Sequence, residues 1–196
     1  MSATGLGQSL LLLLDVVAVL DEQDVEYAVV GALAASVYGT IRATTDADAV
    51  VSASRSKLAG IDRTLRKAGL TAELRRGDSD DPIPALLAIS DPFGNRVDLL
   101  GGLRGLDPEA FARAIAVPFS GTTLRIIGRE DFIAMKCFAG GPLDIADAQE
   151  AMKMADRPID LDLLRRITRR FGRPAADVLE ALPALGPEGW IGSRRD

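Results

Sequence analysis

The first part of the chain alternates short apolar runs with segments of helical periodicity, which is the pattern of an α/β domain. The most apolar segment predicts a buried helix over 8–22. Two short apolar segments, 27–31 and 47–53, are bounded by polar residues and predict buried strands. Between these strands, 32–39 predicts a helix that ends at a glycine.

The middle of the chain adds another helix, a hairpin and a further strand. Apolar residues at helical spacing predict an amphipathic helix over 56–70, and the polar stretch 75–82 predicts a loop. The apolar runs 84–90 and 96–100 flank the turn sequence DPFGN, which is the pattern of a β-hairpin. A loop with a short helix then leads to a strand near 122–127.

From residue 129 onward the hydrophobic periodicity is helical. Helices are predicted over 130–139, 144–155, 160–172 and 174–183. The sequence therefore predicts the α/β class, with a mixed β-sheet flanked by helices and a helical last third. We expect an α/β core over 1–128 and a helical region over 129–196 that packs on this core.

The composition supports a folded domain and removes several kinds of catalytic site. Hydrophobic residues make up 47% of the 196 residues, which is enough for a sizeable core. The chain has no histidine, which excludes Ser-His-Asp hydrolysis and HExxH zinc sites. Its one cysteine, Cys137, cannot form a disulfide within the chain. Carboxylates, lysine, arginine and hydroxyls remain for chemistry, and a carboxylate site favours magnesium or manganese.

Charge and hydropathy narrow the expected partners and location. The net charge of −5 gives no general attraction to nucleic acid, so such a partner would need a local basic patch. The apolar run 10–20 is too short to cross a bilayer and contains Asp15. Because no basic segment or cleavage site accompanies this run, we expect a cytoplasmic protein without a membrane partner.

Two acidic residues, Asp46 and Asp48, stand at the start of the second predicted strand. Alternate residues of a strand share a face, so both carboxylates would point the same way with Cα atoms roughly 6 to 7 Å apart. Like charges held side by side repel unless a cation lies between them, which makes the pair a candidate metal platform. The alternative is a pair of solvated aspartates where the strand begins.

A third acidic residue, Asp98, lies between Val97 and Leu99 in the strand predicted over 96–100. If that strand pairs beside 47–53, Asp98 joins the first two carboxylates. Three carboxylates on neighbouring strands suit two divalent ions roughly 3.5 to 4 Å apart, as in phosphoryl or nucleotidyl transfer. Otherwise Asp98 is a charge at the edge of the sheet.

The order of these motifs resembles the DNA polymerase beta-type nucleotidyltransferase superfamily. The run VVGALAASVYGTIRATTDADAVV (29–51) is similar to its signature, an apolar strand ending in Gly-Ser or Gly-Gly, a helix, and DxD or DxE on the next strand. The sequence is most similar to the minimal bacterial branch that includes AbiEii-type toxins. That branch has a G-x-x-R-x-T-x-D-x-D run, matched here by Gly39, Arg42, Thr44, Asp46 and Asp48.

Later segments extend the resemblance over residues 27–150. RVDLL (96–100) is similar to the strand that carries the third carboxylate in this branch. GREDFIAMKCFAGGPLDIADAQ (128–149) is similar to its helix of the form ED-L-I-A-x-K with two aspartates after it. The matching residues are Asp131, Lys136, Asp144 and Asp147.

The resemblance implies an enzyme that moves a nucleoside monophosphate from an NTP, such as ATP, to an acceptor hydroxyl and releases pyrophosphate. Asp46 and Asp48 would bind Mg²⁺ or Mn²⁺, and Asp98 would complete one metal site and take the acceptor's proton. The implied acceptor is an RNA, such as a tRNA, or a protein. A toxin of this branch also implies a partner antitoxin.

The resemblance further implies a set of nucleotide contacts, namely Gly31, Ala32, Ser36, Arg42, Lys136 and Asp147. Ala32 departs from the family, whose hydroxyl at this position helps to hold the phosphates. Alanine offers only its backbone N–H at the start of a helix, and Ser36, one turn later, is a candidate replacement. This departure leaves open an alternative function, a catalytically weak or inactive module that binds a nucleotide or a partner.

Several of these side chains also have ordinary structural interpretations. Lys136 emerges from a mostly apolar helix face, and it either reaches out to solvent or points into a site that needs positive charge. Asp144 is a candidate helix N-cap, and Asp147 lies in the first turn of that helix or orients Lys136. Arg42 either contacts phosphate or braces the turn before Asp46.

A basic cluster in the last third offers a candidate surface for an RNA acceptor. It consists of Arg165, Arg166, Arg169, Arg170 and Arg173. Spacings of three and four residues place most of them along one side of a helix. The alternative is a solvated helix face.

Overall fold

A seven-stranded mixed sheet forms the centre of the protein in a computed structural model that describes residues 2–41, 44–154 and 158–182. The strands are β1 Tyr27–Val29, β2 Asp46–Val51, β3 Thr71–Arg76, β4 Ala85–Ser90, β5 Arg96–Gly101, β6 Ile115–Phe119 and β7 Thr122–Ile126. They lie in the order β3-β4-β5-β2-β1-β7-β6. The pairs β2–β5 and β1–β7 are parallel, and the other neighbouring pairs are antiparallel.

Helices flank this sheet and fill the last third of the described chain. They are α1 Ser9–Glu22, α2 Gly31–Val37, α3 Arg55–Lys67, α4 Arg129–Ala139, α5 Pro142–Lys153, α6 Leu161–Arg170 and α7 Arg173–Glu180. A short 3₁₀ helix covers Pro108–Ala110. Within the three described ranges, none of the helices has the length and apolar character needed to span a membrane. The observed class is the predicted one, a mixed sheet flanked by helices with a helical C-terminal part.

The helices α1 and α3 pack against one face of the sheet and bury its apolar residues. On this face, β2 and β5 contribute Ala47, Ala49, Val97 and Leu99, each at most 4% exposed. The packing is close, because a Cβ added at Gly101 would lie 2.6 Å from Cδ1 of Leu58 on α3. Strand alternation then directs the intervening residues of β2 and β5 to the opposite face.

Helix α4 lies at the centre of the C-terminal part and contacts α5, α6 and α7. Its Phe132 and Ile133 belong to the same hydrophobic cluster as the buried residues of the sheet. The ring of Phe132 lies 5.2 Å from that of Tyr38, whose hydroxyl donates to the carbonyl of Ile127 at 2.6 Å. The hydrophobic cluster is thus continuous across residue 128, and the division into two parts at that point stays a prediction.

The predicted basic cluster is largely paired within the chain. Arg166 and Arg170 approach the buried carboxylate of Asp107, with N–O distances of 3.3 and 3.7 Å. Arg165 pairs with Glu180 at 3.0 Å, and Arg173 lies 3.8 Å from Asp177. Because these acids already offset much of the positive charge, the pairing favours the interpretation of a solvated helix face.

Most predicted elements are observed within a few residues, but the two edge strands are not predicted. The predicted loop 75–82 begins inside β3, which has only Ala72 and Leu74 facing inward. The other edge strand, β6, contains Pro118. Because proline is rare inside strands, its presence argues against a strand when only the sequence is considered. Edge strands bury one face weakly, so their apolar alternation is faint.

The opposite faces of β5 provide a test of the fold. Replacing Leu99, which is fully buried, by alanine should lower the free energy of unfolding by about 2–5 kcal/mol, because a cavity replaces packed side-chain atoms. Leu100 points to the other face and is half-buried, so Leu100→Ala should cost about 1 kcal/mol or less. Urea denaturation of both variants measures the difference, and equal losses would contradict the assignment of the faces.

Candidate active site

The parallel pairing of β2 with β5 brings the three predicted carboxylates together. In this register Asp48 lies opposite Asp98, and Asp46 lies opposite Arg96. Paired residues of neighbouring strands point to the same face, about 4.8 Å apart. Asp46, Asp48 and Asp98 therefore share the face opposite the α1–α3 layer, as the strand alternation predicts.

The carboxylate of Asp48 is half-buried beside two other acids, which disfavours its charged form. Its pKa is raised from the ordinary value of 3.8 to about 6, mainly by burial and then by the charges of Asp46 and Asp98, while Lys136 acts in the opposite direction. Burial also raises the pKa of Asp98, while Arg96 and Arg75 oppose that shift. These acids hold excess negative charge, which a bound cation would relieve.

Carboxylate oxygens suit a hard divalent cation, and these three side chains could provide some of its ligands. Oδ1 of Asp98 is buried and has no hydrogen-bond partner, so it retains a lone pair for a ligand. In the described part of the chain, no three acidic or cysteine side chains are arranged so that they could hold a metal ion by themselves. The carboxylates would thus supply part of a coordination shell, and water or substrate oxygens would supply the rest.

A cavity of about 190 Å³ lies directly beside Asp48. Its walls are mostly apolar, and they are formed by Val30, Gly31, Leu100, Phe132, Met135 and Ala139. The polar side chains that line it are those of Asp48, Lys136 and Asp144. A small apolar cavity with a few convergent charges is the usual form of a ligand site.

Gly31 lies shortly after β1, at the start of α2, where it lines the cavity and permits the close approach of Asp48. Its φ of +63° is in the left-handed region, which glycine adopts without strain. A Cβ at this position would lie 2.2 Å from Oδ2 of Asp48, so any side chain here would displace the carboxylate. The predicted role of Gly31 beside the nucleotide stays a prediction, but its proximity to Asp48 requires glycine.

Lys136 projects from α4 into the cavity rather than out to solvent. Its side chain is 10% exposed, and its Nζ lies 2.8 Å from Oδ2 of Asp147 and 2.7 Å from Oδ1 of Asp144. The ammonium also lies 5.5 Å from the centre of the Phe132 ring. Asp147 is 1% exposed and contacts this ammonium, and its predicted role in orienting Lys136 stays a prediction.

The other predicted site residues have varied positions. Ala32 lies in the first turn of α2, and Ser36 donates its hydroxyl to the Ala32 carbonyl at 3.0 Å. In this arrangement the hydroxyl proton of Ser36 is already used. Arg42 lies outside the described residues. Asp131, which belongs to the family-like helix motif, forms two hydrogen bonds of 2.7 Å with Arg113 and so has a structural partner.

Two contacts at the site were not predicted. Asp144 is not the N-cap of α5, because Gly141 is the N-cap and Pro142 begins the helix. Asp144 therefore lies within the first turn, where its carboxylate is able to reach Lys136. Thr44 donates its hydroxyl to Oδ1 of Asp46 at 2.8 Å. The spacing of two residues between Thr44 and Asp46 was the feature of the sequence that could have predicted this contact.

Comparisons with known proteins identify the fold. No family model matches the sequence, and no curated protein shows significant similarity. A crystal structure of ANT(2″)-Ia in complex with adenylyl-2″-tobramycin has 15% identity and a TM-score of 0.53, covering 84% of this chain and 96% of that chain. A solution structure of the antibiotic-resistance factor ANT(2″)-Ia has 17% identity and a TM-score of 0.54, with coverages of 84% and 90%.

A third similar structure is an antigenic nucleotidyltransferase-like protein from Paracoccidioides brasiliensis. It has 15% identity and a TM-score of 0.51, and the match covers 92% of this chain and 94% of that chain. Identities this low concern the fold and not the substrate. The chain has the nucleotidyltransferase fold, as the sequence resemblance implied.

The raised pKa of Asp48 predicts how stability depends on pH. Because the folded pKa is about 6 and the ordinary value is 3.8, the folded state binds more protons than the unfolded state between these values. The stability associated with this group is therefore present below about pH 4 and is lost as the pH rises through about 6. Asp48→Asn, without added metal, should become increasingly more stable than the wild type over this interval. Denaturation at several pH values measures the difference, and a difference that does not vary with pH would contradict the assignment.

Proposed function

We propose that the protein is a metal-dependent nucleotidyltransferase that moves a nucleoside monophosphate from an NTP to an acceptor hydroxyl and releases pyrophosphate. The observation that supports this proposal is the position of three carboxylates on one face of β2 and β5, beside a cavity that contains Lys136. The nucleotidyltransferase fold also supports this proposal.

In this proposal Asp46, Asp48 and Asp98 hold Mg²⁺ or Mn²⁺, which would neutralise phosphate charge and orient the reacting oxygens. Lys136 pairs with the triphosphate, and Asp147 keeps its ammonium turned toward the cavity. Gly31, Ala32 and Arg42 remain candidate phosphate contacts. Ser36 would first have to release the Ala32 carbonyl.

Asp98 is the proposed general base for the acceptor hydroxyl. Burial raises its pKa, which brings its basicity closer to the working range near neutral pH. Its register partner Asp48 lies on the next strand, so the proton acceptor and the proposed phosphate site are adjacent. This proximity would help to orient an acceptor hydroxyl toward the phosphate in the proposed transfer.

For the acceptor, we propose an RNA such as a tRNA, or a protein, following the resemblance to AbiEii-type toxins. The same resemblance motivates ATP as a candidate NTP and a cognate antitoxin, and we retain the cytoplasmic location that the sequence analysis predicts. The paired arginines of α6 make that helix a weak candidate for the acceptor surface. The similar ANT(2″)-Ia complex contains an adenylylated antibiotic, so an aminoglycoside belongs among the acceptors to be tested.

A second candidate is a nucleotide-binding or partner-binding module that is catalytically weak or inactive. The specific observation that favours it is Ala32, which lacks the hydroxyl expected there, together with the engagement of the Ser36 hydroxyl within α2. Such a module would bind an NTP with Mg²⁺ but release no pyrophosphate. The presence of three carboxylates favours the enzyme.

Transfer with labelled NTPs separates these two functions. The protein is incubated with each α-labelled NTP, manganese, and total RNA, cell lysate or tobramycin, and pyrophosphate release and labelled products are measured. We expect transfer to one acceptor class, and Asp98→Asn should lower its rate by roughly two orders of magnitude while NTP still binds. Asp177→Asn, which removes an exposed carboxylate on α7, should transfer normally. Normal turnover by Asp98→Asn would remove this residue from the chemistry.

Metal binding has a separate test that needs no acceptor. Magnesium or manganese should raise the melting temperature of the wild type, because a ligand that binds the folded state stabilises it. The Asp46→Asn, Asp48→Asn double variant should be at least as stable without metal and should lose this response. A double variant that melts much lower and still responds to metal would contradict the platform.

A further inference from the structure

The ammonium of Lys136 has two carboxylate partners in very different surroundings. Asp147 is 1% exposed and lies one turn into α5, where protein atoms enclose it. The side chain of Asp144 is 28% exposed, lies in the first turn of α5 and lines the cavity. The distances are nearly equal, 2.8 Å to Asp147 and 2.7 Å to Asp144. Only Asp144 therefore has both solvent and an open cavity into which its carboxylate is able to turn.

The charges at the cavity oppose the binding of a polyanion. Among the described side chains that line it, Lys136 is the cation, while Asp48 and Asp144 are acidic. Asp46 and Asp98 add further negative potential, which is why they raise the pKa of Asp48. A triphosphate that reaches Lys136 must compete with Asp144 for the same ammonium and must also approach the negative charge of this carboxylate.

We propose that Asp144 is a displaceable partner that occupies Lys136 until a triphosphate takes its place, whereas Asp147 is the permanent positioning residue. This inference rests on the proposed function, because it assigns the phosphates of the NTP to Lys136. Asp144 thus lowers the affinity for the nucleotide, and Asp147 raises it. The two aspartates of one helix have opposite effects on the same lysine.

The turn before α5 gives Asp144 its position at the rim. Gly140 ends α4 with a φ of +67°, and Gly141 follows as the N-cap of α5. A Cβ at Gly141 would lie 2.9 Å from Oδ2 of Asp144, so the absence of a side chain there makes room for this carboxylate. Its release from Lys136 requires rotation of one partly exposed side chain and no movement of the buried α4.

Charge-neutral variants of the aspartates are better probes than variants of the lysine. Loss of Lys136 would leave the buried carboxylate of Asp147 without this cation, which would destabilise the fold and obscure any effect on binding. Asp144→Asn keeps the size and a hydrogen-bonding oxygen and removes the competing charge. Glu150→Gln is the matched control, because it removes one acid from α5 whose partner is Lys153, at 2.6 Å.

The experiment is calorimetric titration of the full chain with a non-hydrolysable ATP analogue, other NTP analogues and inorganic triphosphate, each with magnesium. Asp144→Asn should bind the preferred triphosphate roughly three- to tenfold more tightly than the wild type, the scale of a partly exposed ion pair. Glu150→Gln should bind like the wild type, and Asp147→Asn should bind more weakly. In the variant that combines Asp144→Asn with Asp147→Asn, the first change should no longer improve binding, because Lys136 has lost its orientation.

Each contrary result has a distinct meaning. A wild type that binds triphosphate while Asp144→Asn binds it equally or more weakly overturns this inference and leaves the proposed function intact. Equal tightening by Glu150→Gln also overturns it, because the effect would then be one of net charge. Failure of the wild type and of Asp144→Asn to bind any triphosphate overturns both the inference and the proposed function. The Asp144→Asn variant decides the question even if Asp147→Asn does not fold. If Asp144 only supported the position of Lys136, its replacement would weaken triphosphate binding instead of strengthening it.

Discussion

The in-register parallel pairing of β2 with β5 is the constraint on which the site depends. It directs Ala47, Ala49, Val97 and Leu99 into the layer beneath α1 and α3, and it leaves the three acids on the other face. Side chains alternate with a period of two, so a slip of one residue would turn the acids into the core. The burial of apolar residues therefore holds like charges together that would otherwise separate. The core stabilises the fold, and the raised pKa of Asp48 is the electrostatic consequence.

Helix α4 supplies the opposite charge from a separate part of the chain. Phe132 anchors the helix against Tyr38, and Lys136, one turn later, reaches the cavity with its ammonium held by two aspartates. A lysine with so little exposure requires partners, and Asp147 is a buried partner that does not block the cavity. Asp144 balances the same charge from the rim. In the free protein the ammonium of Lys136 therefore has two carboxylate partners, whereas Oδ1 of Asp98 has no hydrogen-bond partner.

The shared fold and the distinct site have different implications for function. Structures with only 15–17% identity have the same nucleotidyltransferase architecture, so the fold tolerates wide change in sequence. A likeness of fold does not identify the acceptor of the proposed reaction. The carboxylates, Lys136 and the apolar cavity concern the nucleotide half of the proposed reaction. At Ala32 this chain departs from the pattern of the family that it resembles, among the residues proposed to contact the nucleotide. A measurement of transfer activity would therefore distinguish an enzyme from a binding module.

The sequence by itself determined the α/β class, most central elements and the alternation that places Asp46 and Asp48 on one face of a strand. These features are local, because periodicity, turn residues and strand alternation act over a few neighbouring residues. The sequence pattern did not reveal the edge strands β3 and β6, whose weak burial leaves a faint pattern. Only the tertiary structure decided that Asp98 lies opposite Asp48, that Asp131 pairs with Arg113, and that Asp144 contacts Lys136 instead of capping a helix. Strand order and the direction of a side chain into a cavity arise from contacts between distant segments, and no local spacing encodes them.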